Sequence, residues 1–306
     1  MLRSARPCAL QSIWHTAAHS VERLSTARPG YAASALALYV VSLFIAGARW
    51  RGFLRALGGE VTVVRATLAT LGGIAAGNLT PAPGGEICRI ALVRLGGRAT
   101  WSEATIAAVW DRLSEVPPIV VLSAMAAFGL RSLATGRNTA AIVGGGLLAA
   151  GIGGFALWRL RRAELAVAGW RDRLALNRVT VPLVAAGVGY SSLLWLQDFL
   201  RLACATLAFG VVLSPTQIAM LSIVAMLGGL VPSLAGLGPV EGGLVAGLLG
   251  FGVDLPTAAA VTALERAISY GFSTSSGAVV IALIGGRTVW SAARGRQQSS
   301  RSSAVR

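Results

Sequence analysis

Gly236-Leu237-Gly238-Pro239-Val240-Glu241-Gly242-Gly243 lies inside an apolar region that runs from about Pro215 to Ile284. An ordinary spanning helix does not read this way, because Gly and Pro interrupt helices and a carboxylate is costly in hydrocarbon. Broken backbone at membrane depth is tolerated only where protein buries it or where it lines a watery cavity. The stretch therefore predicts a short hairpin inside a membrane protein, aimed at a site. Pro81-Ala82-Pro83-Gly84-Gly85-Glu86 makes a second statement of the same kind. Glu86 precedes Arg112 by 26 residues and Glu241 precedes Arg266 by 25, and each Arg follows an acid, Asp111 or Glu265. The matching elements stand about 155 residues apart. Interrupted apolar segments at corresponding places in two halves are a sequence-level pointer to a transporter binding site.

Composition agrees with a membrane setting. The chain has 306 residues, 55% apolar and 13% charged, with a mean hydropathy of +0.68 and 38 glycines that suit close helix packing in lipid. All 27 basic residues are Arg, and the net charge is +15. These arginines mostly flank apolar segments, which favours contact with anionic lipid headgroups over nucleic acid. Cys8, Cys88 and Cys204 have no metal-ligand spacing and suggest no disulfide framework. His15 and His19 are spaced as a possible ligand pair, but lack a third ligand and read as surface histidines. No metal, cofactor, nucleophile–base pair or nucleotide loop is expected, and the chain does not read as an enzyme.

The expected fold class is all-α, a polytopic transmembrane helix bundle with two re-entrant or broken-helix motifs in an internal repeat. Residues 1–29 form a basic, polar arm without the apolar core of a signal peptide. Residues 30–284 form the transmembrane domain, with half-repeats at about 61–130 and 215–284. Residues 285–306 form an Arg- and Ser-rich tail of disordered composition. Gly30–Ala48 is the first span, closed by Arg49-Trp50-Arg51 at an interface. Val61–Leu79 follows, with Arg65 placed to snorkel. Ile87–Leu95 is too short to span. Thr100 or Ser102 caps the next helix. That helix carries Asp111 and Arg112 on the order of 15 Å from its start, and Pro117-Pro118 kink it. Ala140–Trp158 is a Gly-rich span, and Arg159–Arg178, with six arginines, is the clearest cytoplasmic loop. Val181–Val211 reads as one long tilted helix in which Asp198 and Arg201 pair at i, i+3; two short spans are the alternative. One helix there makes the halves parallel and puts the tail opposite the basic loop. Two make the halves inverted and put the tail on the basic side. Gly242–Phe251 is a short apolar helix, and the last helix starts at Pro256.

An Arg held within a membrane bundle faces the interior and finds partners. Adjacent helical residues point about 100° apart, so Asp111 and Glu265 are poor partners for Arg112 and Arg266. Pairing of Glu86 with one Arg and Glu241 with the other is the better expectation. Short-helix N-termini attract anions, and Arg forks suit phosphate. The expected substrate-binding set is Glu86, Arg112, Glu241, Arg266, Gly84, Gly85, Gly236 and Gly238, supported by Asp111, Glu265, Arg89, Asp198 and Arg201.

Taken together, Pro81–Arg89, Asp111-Arg112, Gly236–Glu241 and Glu265-Arg266 resemble the flippase-like membrane domain family, the membrane part of lysylphosphatidylglycerol synthase/flippase proteins. The likeness extends over about Gly30 to Ile284, and Arg49-Trp50 fits it. It implies a multi-pass protein of a prokaryotic plasma (inner) membrane that moves an anionic phospholipid or a polyprenyl-phosphate-linked headgroup between leaflets. The family usually has a further span before the first one here, and its full synthases carry a cytosolic aminoacyl-transferase domain. Neither is expected from this sequence, and lipid aminoacylation is not carried over. A non-transporting membrane scaffold and an intramembrane enzyme on a lipid-linked substrate, with Glu86 or Glu241 as general base, are the competing readings.

Overall fold

A computed structural model of the chain describes residues 25–80, 84–95, 99–133, 178–230 and 237–285. Residues 1–24 of the basic arm, the Ala140–Trp158 span, residues 159–177 of the expected loop, residues 286–306 of the tail, Pro81–Pro83 and Gly236 lie outside the described residues. Those described are helical, with no β-strand among them. In chain order the helices are α1 (Pro29–Ala56), α2 (Val63–Leu79), α3 (Gly84–Arg94), α4 (Trp101–Leu113), α5 (Val116–Leu133), α6 (Val181–Leu207), α7 (Pro215–Leu230), α8 (Pro239–Gly250) and α9 (Leu255–Gly285). Three of them, α1, α6 and α9, are long and apolar enough to cross a membrane. Their large apolar side chains face outward: Phe44 on α1, Leu196 on α6 and Leu283 on α9 are each about half exposed. Such a surface is stable when hydrocarbon, not water, is its solvent.

Two compact units are present. Among the described residues, one draws on 25–40, 120–133, 195–230 and 237–269, the other on 41–80, 84–95, 99–119, 178–194 and 270–285. Each contains three consecutive helical segments built alike, the last of the second set being the part of α9 up to Ser269. In the first triplet, α2–α4, the contacts of α3 move back along α2 as α3 advances. Gly85 lies against Gly77, Arg89 against Gly73, and Leu92 against Gly72. The Arg65 guanidinium donates to the Leu92 carbonyl at 3.1 Å, so it closes this antiparallel hairpin rather than snorkelling. In the second triplet, α7–α9, Val240 lies against Gly228, Gly243 against Val224 and Gly247 against Leu221, again antiparallel. With 11 and 12 residues, α3 and α8 are roughly 16 and 18 Å long, well short of a hydrocarbon core of about 30 Å.

Several boundaries follow from local chemistry. Thr100 caps α4 in a full capping box with Glu103, and Asp254 caps α9. Val181–Leu207 is one continuous helix, as the absence of a Gly/Pro break implied. Two expectations are corrected. Arg49-Trp50-Arg51 does not close α1 at an interface: the helix runs on to Ala56, Trp50 is fully buried and Arg49 is 4% exposed. A buried carboxylate partner, described below, outweighs the interfacial preference. The chain also breaks at Ser114-Glu115, before Pro117-Pro118, and the two prolines sit in the first turn of α5. There their missing N–H groups cost nothing. Arg112 consequently lies in the last turn of a 13-residue helix and not at mid-helix depth. In α9 the α-helix gives way to a π-helical stretch, Ala267–Phe272.

Candidate functional site

Of the predicted residues, Gly84, Gly85, Glu86, Arg89, Asp111 and Arg112 lie in the first triplet. Asp111 is completely buried and is clamped from two sides. Arg49 Nε donates to its Oδ1 at 2.7 Å and Arg89 Nη1 to its Oδ2 at 2.9 Å. Arg49 also donates to Ser191 Oγ and Glu115 Oε1, both at 2.7 Å, which engages its Nε, Nη1 and Nη2. Ser114 Oγ and Ser191 Oγ, 3.0 Å apart, complete the shell. Burying these charges is costly, and pairing with full hydrogen bonding is what offsets it.

Arg89 is held differently. Its guanidinium stacks 3.9 Å from the centroid of the Trp50 ring. Apart from its bond to Asp111 it lies 3.6 Å from Glu86 Oε2, and its Nε and Nη2 have no hydrogen-bond acceptor among the described residues. Glu86 Oε1 accepts from Arg112 Nε at 3.0 Å and from Arg112 Nη2. Arg112 also donates to Glu115, and its side chain is 60% exposed. Thr70, Gly73, Ile74, Gly77, Asn78, Gly85, Glu86, Arg89 and Arg112 line a cavity of about 340 Å³. The side-chain amide of Asn78 is fixed by donating to Ser273 (3.2 Å) and Thr274 (2.8 Å) on α9, just past its π-helical stretch.

The second triplet repeats the pairing. Arg266 Nε donates to Glu241 Oε1 at 2.6 Å, while Glu241 Oε2 accepts from the Gly238 N–H at 2.7 Å and so caps α8. Glu265 accepts from Arg201 Nη1 at 2.5 Å, and Arg201 also pairs with Asp198. Each Glu thus takes the Arg of its own triplet, and each acid before that Arg takes an Arg from a long helix.

The glycines divide by role. Gly85 lines the cavity, and a Cβ there would stand 2.7 Å from the Gly73 carbonyl oxygen. Gly84 is not among the residues that line it, and a Cβ there would stand 2.1 Å from Thr80 Oγ1. Gly238 has φ of +92°, the left-handed region that favours glycine. Arg49 belongs to the Asp111 cluster by its bonds to Asp111, Ser191 and Glu115 but was not in the expected set. Its signal was present: Arg49 stands 62 residues before Asp111, and Arg201 stands 64 before Glu265. Among the described residues no three His, Cys, Asp or Glu side chains gather as a metal-ligating group.

Long apolar helices, short helix hairpins and paired charges in the interior define a helical membrane protein. The chain belongs to a family described as the lysylphosphatidylglycerol synthase TM region, whose model matches residues 14–277. It is similar to a UPF0104 membrane protein of Methanothermobacter thermautotrophicus, 26% identical over 298 residues, which covers 86% of this chain and 88% of the relative. No solved structure matches it.

Proposed function

We propose that this protein is a lipid translocase-like carrier, not an enzyme, which moves an anionic phospholipid or a polyprenyl-phosphate-linked headgroup between the leaflets of a prokaryotic plasma membrane. The observation that carries this reading is the paired Glu–Arg arrangement, Glu86–Arg112 and Glu241–Arg266, each on a helix hairpin too short to span. In this reading the hairpins are re-entrant and the two triplets are half-repeats. A hairpin that stops inside the membrane presents a helix N-terminus and an Arg fork to a headgroup while the acyl chains stay in lipid. The glutamates keep the arginines in place. Family membership supports a lipid ligand.

Leaflet exchange in sealed proteoliposomes, with fluorescent anionic phospholipids and a polyprenyl-phosphate, tests the proposal. Exchange well above protein-free vesicles is expected, with Arg112→Ala and Arg266→Ala close to background although both insert. Wild-type rates from both variants would refute it. A modified lipid product formed by purified protein in detergent would point to an enzyme instead.

A further inference from the structure

The π-helical stretch of α9, Ala267–Phe272, is followed at once by Ser273-Thr274-Ser275-Ser276. A π-helix closes its bonds over one residue more than an α-helix, and such stretches recur at functional places. Inside hydrocarbon a loosened backbone carbonyl needs another donor, and Ser or Thr side chains can supply it. Here they do. Ser273 Oγ donates to the Tyr270 carbonyl at 3.1 Å, Ser275 Oγ to the Gly271 carbonyl at 2.9 Å, and Ser276 Oγ to that of Phe272. Both ends of the segment are pinned. Before it, Glu265 accepts from Arg201 and Arg266 donates to Glu241. After it, a Cβ at Gly277 would stand 2.4 Å from the Leu71 carbonyl oxygen, which leaves α9 no room to slip along α2. Between the pins, Asn78 holds the segment. Its side-chain amide donates to Ser273 and Thr274, and its backbone carbonyl accepts from the Tyr270 hydroxyl at 3.3 Å. Asn78 also stands on the cavity wall.

We infer that α9 stores one surplus residue between two fixed ends, and that its wide turn migrates towards Ser276 as a register switch acting on Asn78. The residues the turn passes rotate by about 100° and shift by about 1.5 Å, the step of one α-helical residue. Tyr270, Ser273 and Thr274 then leave Asn78, and its amide is released to the cavity. The flanks keep their places, so the Arg201–Glu265 and Glu241–Arg266 pairs persist through the change. The hydroxyl run serves the turn along this path, because a Ser or Thr side chain reaches the carbonyl three or four residues before it. The use of this switch in transport rests on the carrier reading above: it alters the cavity wall without breaking the ion pairs.

The test is residue-resolved hydrogen exchange of the full chain in phospholipid nanodiscs, beside a chain with Gly271 deleted. The deletion removes the surplus residue, so α9 becomes α-helical throughout with both flanks in register. A migrating turn opens the amides of Thr274, Ser275 and Ser276, which stand in α-helix beyond the π-helical stretch. They are expected to exchange at least about tenfold faster in the native chain than in the deleted one. Faster exchange confined to 267–272 would mean a fixed wide turn and overturn the inference. Asn78→Ala keeps the chain length and removes the hold. A several-fold rise in exchange at 274–276 is expected from it, the size of one ordinary hydrogen bond, and no rise would likewise overturn the inference. In sealed proteoliposomes the deleted chain is expected to move lipid several-fold more slowly than the native chain, at no lower melting temperature. Failure here and failure of the carrier reading are distinguishable. A native chain that moves no lipid yet opens at 274–276 removes the carrier and leaves the switch. Equal lipid movement and equal protection at 274–276 in both chains leave the carrier and remove the switch.

Discussion

The two triplets share a plan and use their charges differently. In both, a short helix carries a Glu that holds the Arg at the end of the third helix's α-helical run, 26 or 25 residues on. In both, the acid before that Arg holds a second Arg from a long helix, Arg49 on α1 or Arg201 on α6. Beyond that they part. Asp111 has two arginines and no exposure; Glu265 has one, and that one is shared with Asp198. Arg112 is 60% exposed, while Arg266 is 17% exposed. Glu86 keeps one oxygen without a donor, whereas Glu241 uses both. One shared plan thus places Arg89 on the wall of a polar cavity in the first triplet and Leu244 in an apolar cluster in the second.

The sharpest way to break this comparison is to remove the acid at its centre. Asp111→Ala would leave Arg49 and Arg89 buried without it, which costs about 3–5 kcal/mol, whereas Glu265→Ala would leave Arg201 its Asp198 and should cost about 1–3 kcal/mol. Thermal denaturation of the two purified variants checks the order; equal losses would contradict the asymmetry. Next in size is the close contact within each hairpin. In Gly73→Ala the new Cβ would stand 2.7 Å from Arg89 Cβ and 3.0 Å from the Gly85 carbonyl oxygen, so overpacking of about 1–3 kcal/mol is expected. Gly243→Ala meets only the tip of Val224, and the helix propensity gained by Ala, about 1 kcal/mol, offsets much of that contact. Its melting temperature should stay near wild type. The smallest effect should be the same in both triplets. Thr100→Ala and Asp254→Ala each remove one cap hydrogen bond, and each should cost about 1 kcal/mol in the same melts.

Much of this plan was legible in the sequence because it rests on strong local rules. Pro239 is a helix-start residue and stands in the first turn of α8, and the Glu-to-Arg spacing of 26 and 25 residues pointed to Glu–Arg pairs, though not to which Arg each Glu takes. The continuous α6 was legible because nothing between Val181 and Leu207 terminates a helix. What was not legible depended on tertiary partners. Trp50 looks like an interfacial anchor by composition, and only the arrival of Arg89 and Asp111 makes it a buried platform. Arg89 stood in the expected set as a supporting residue, but its stacking on Trp50 and its bond to Asp111 depend on where the neighbouring helices lie. Gly84 and Gly85 look alike in sequence, yet one packs on Thr80 and the other lines the cavity.

The measurement that tests the account most directly is the leaflet-exchange rate of Arg112→Ala beside that of Arg266→Ala, in sealed proteoliposomes of phosphatidylglycerol with both variants inserted. The account predicts rates close to those of protein-free vesicles for both. Wild-type rates from both variants would contradict the claim that the Glu–Arg pair of each triplet serves transport.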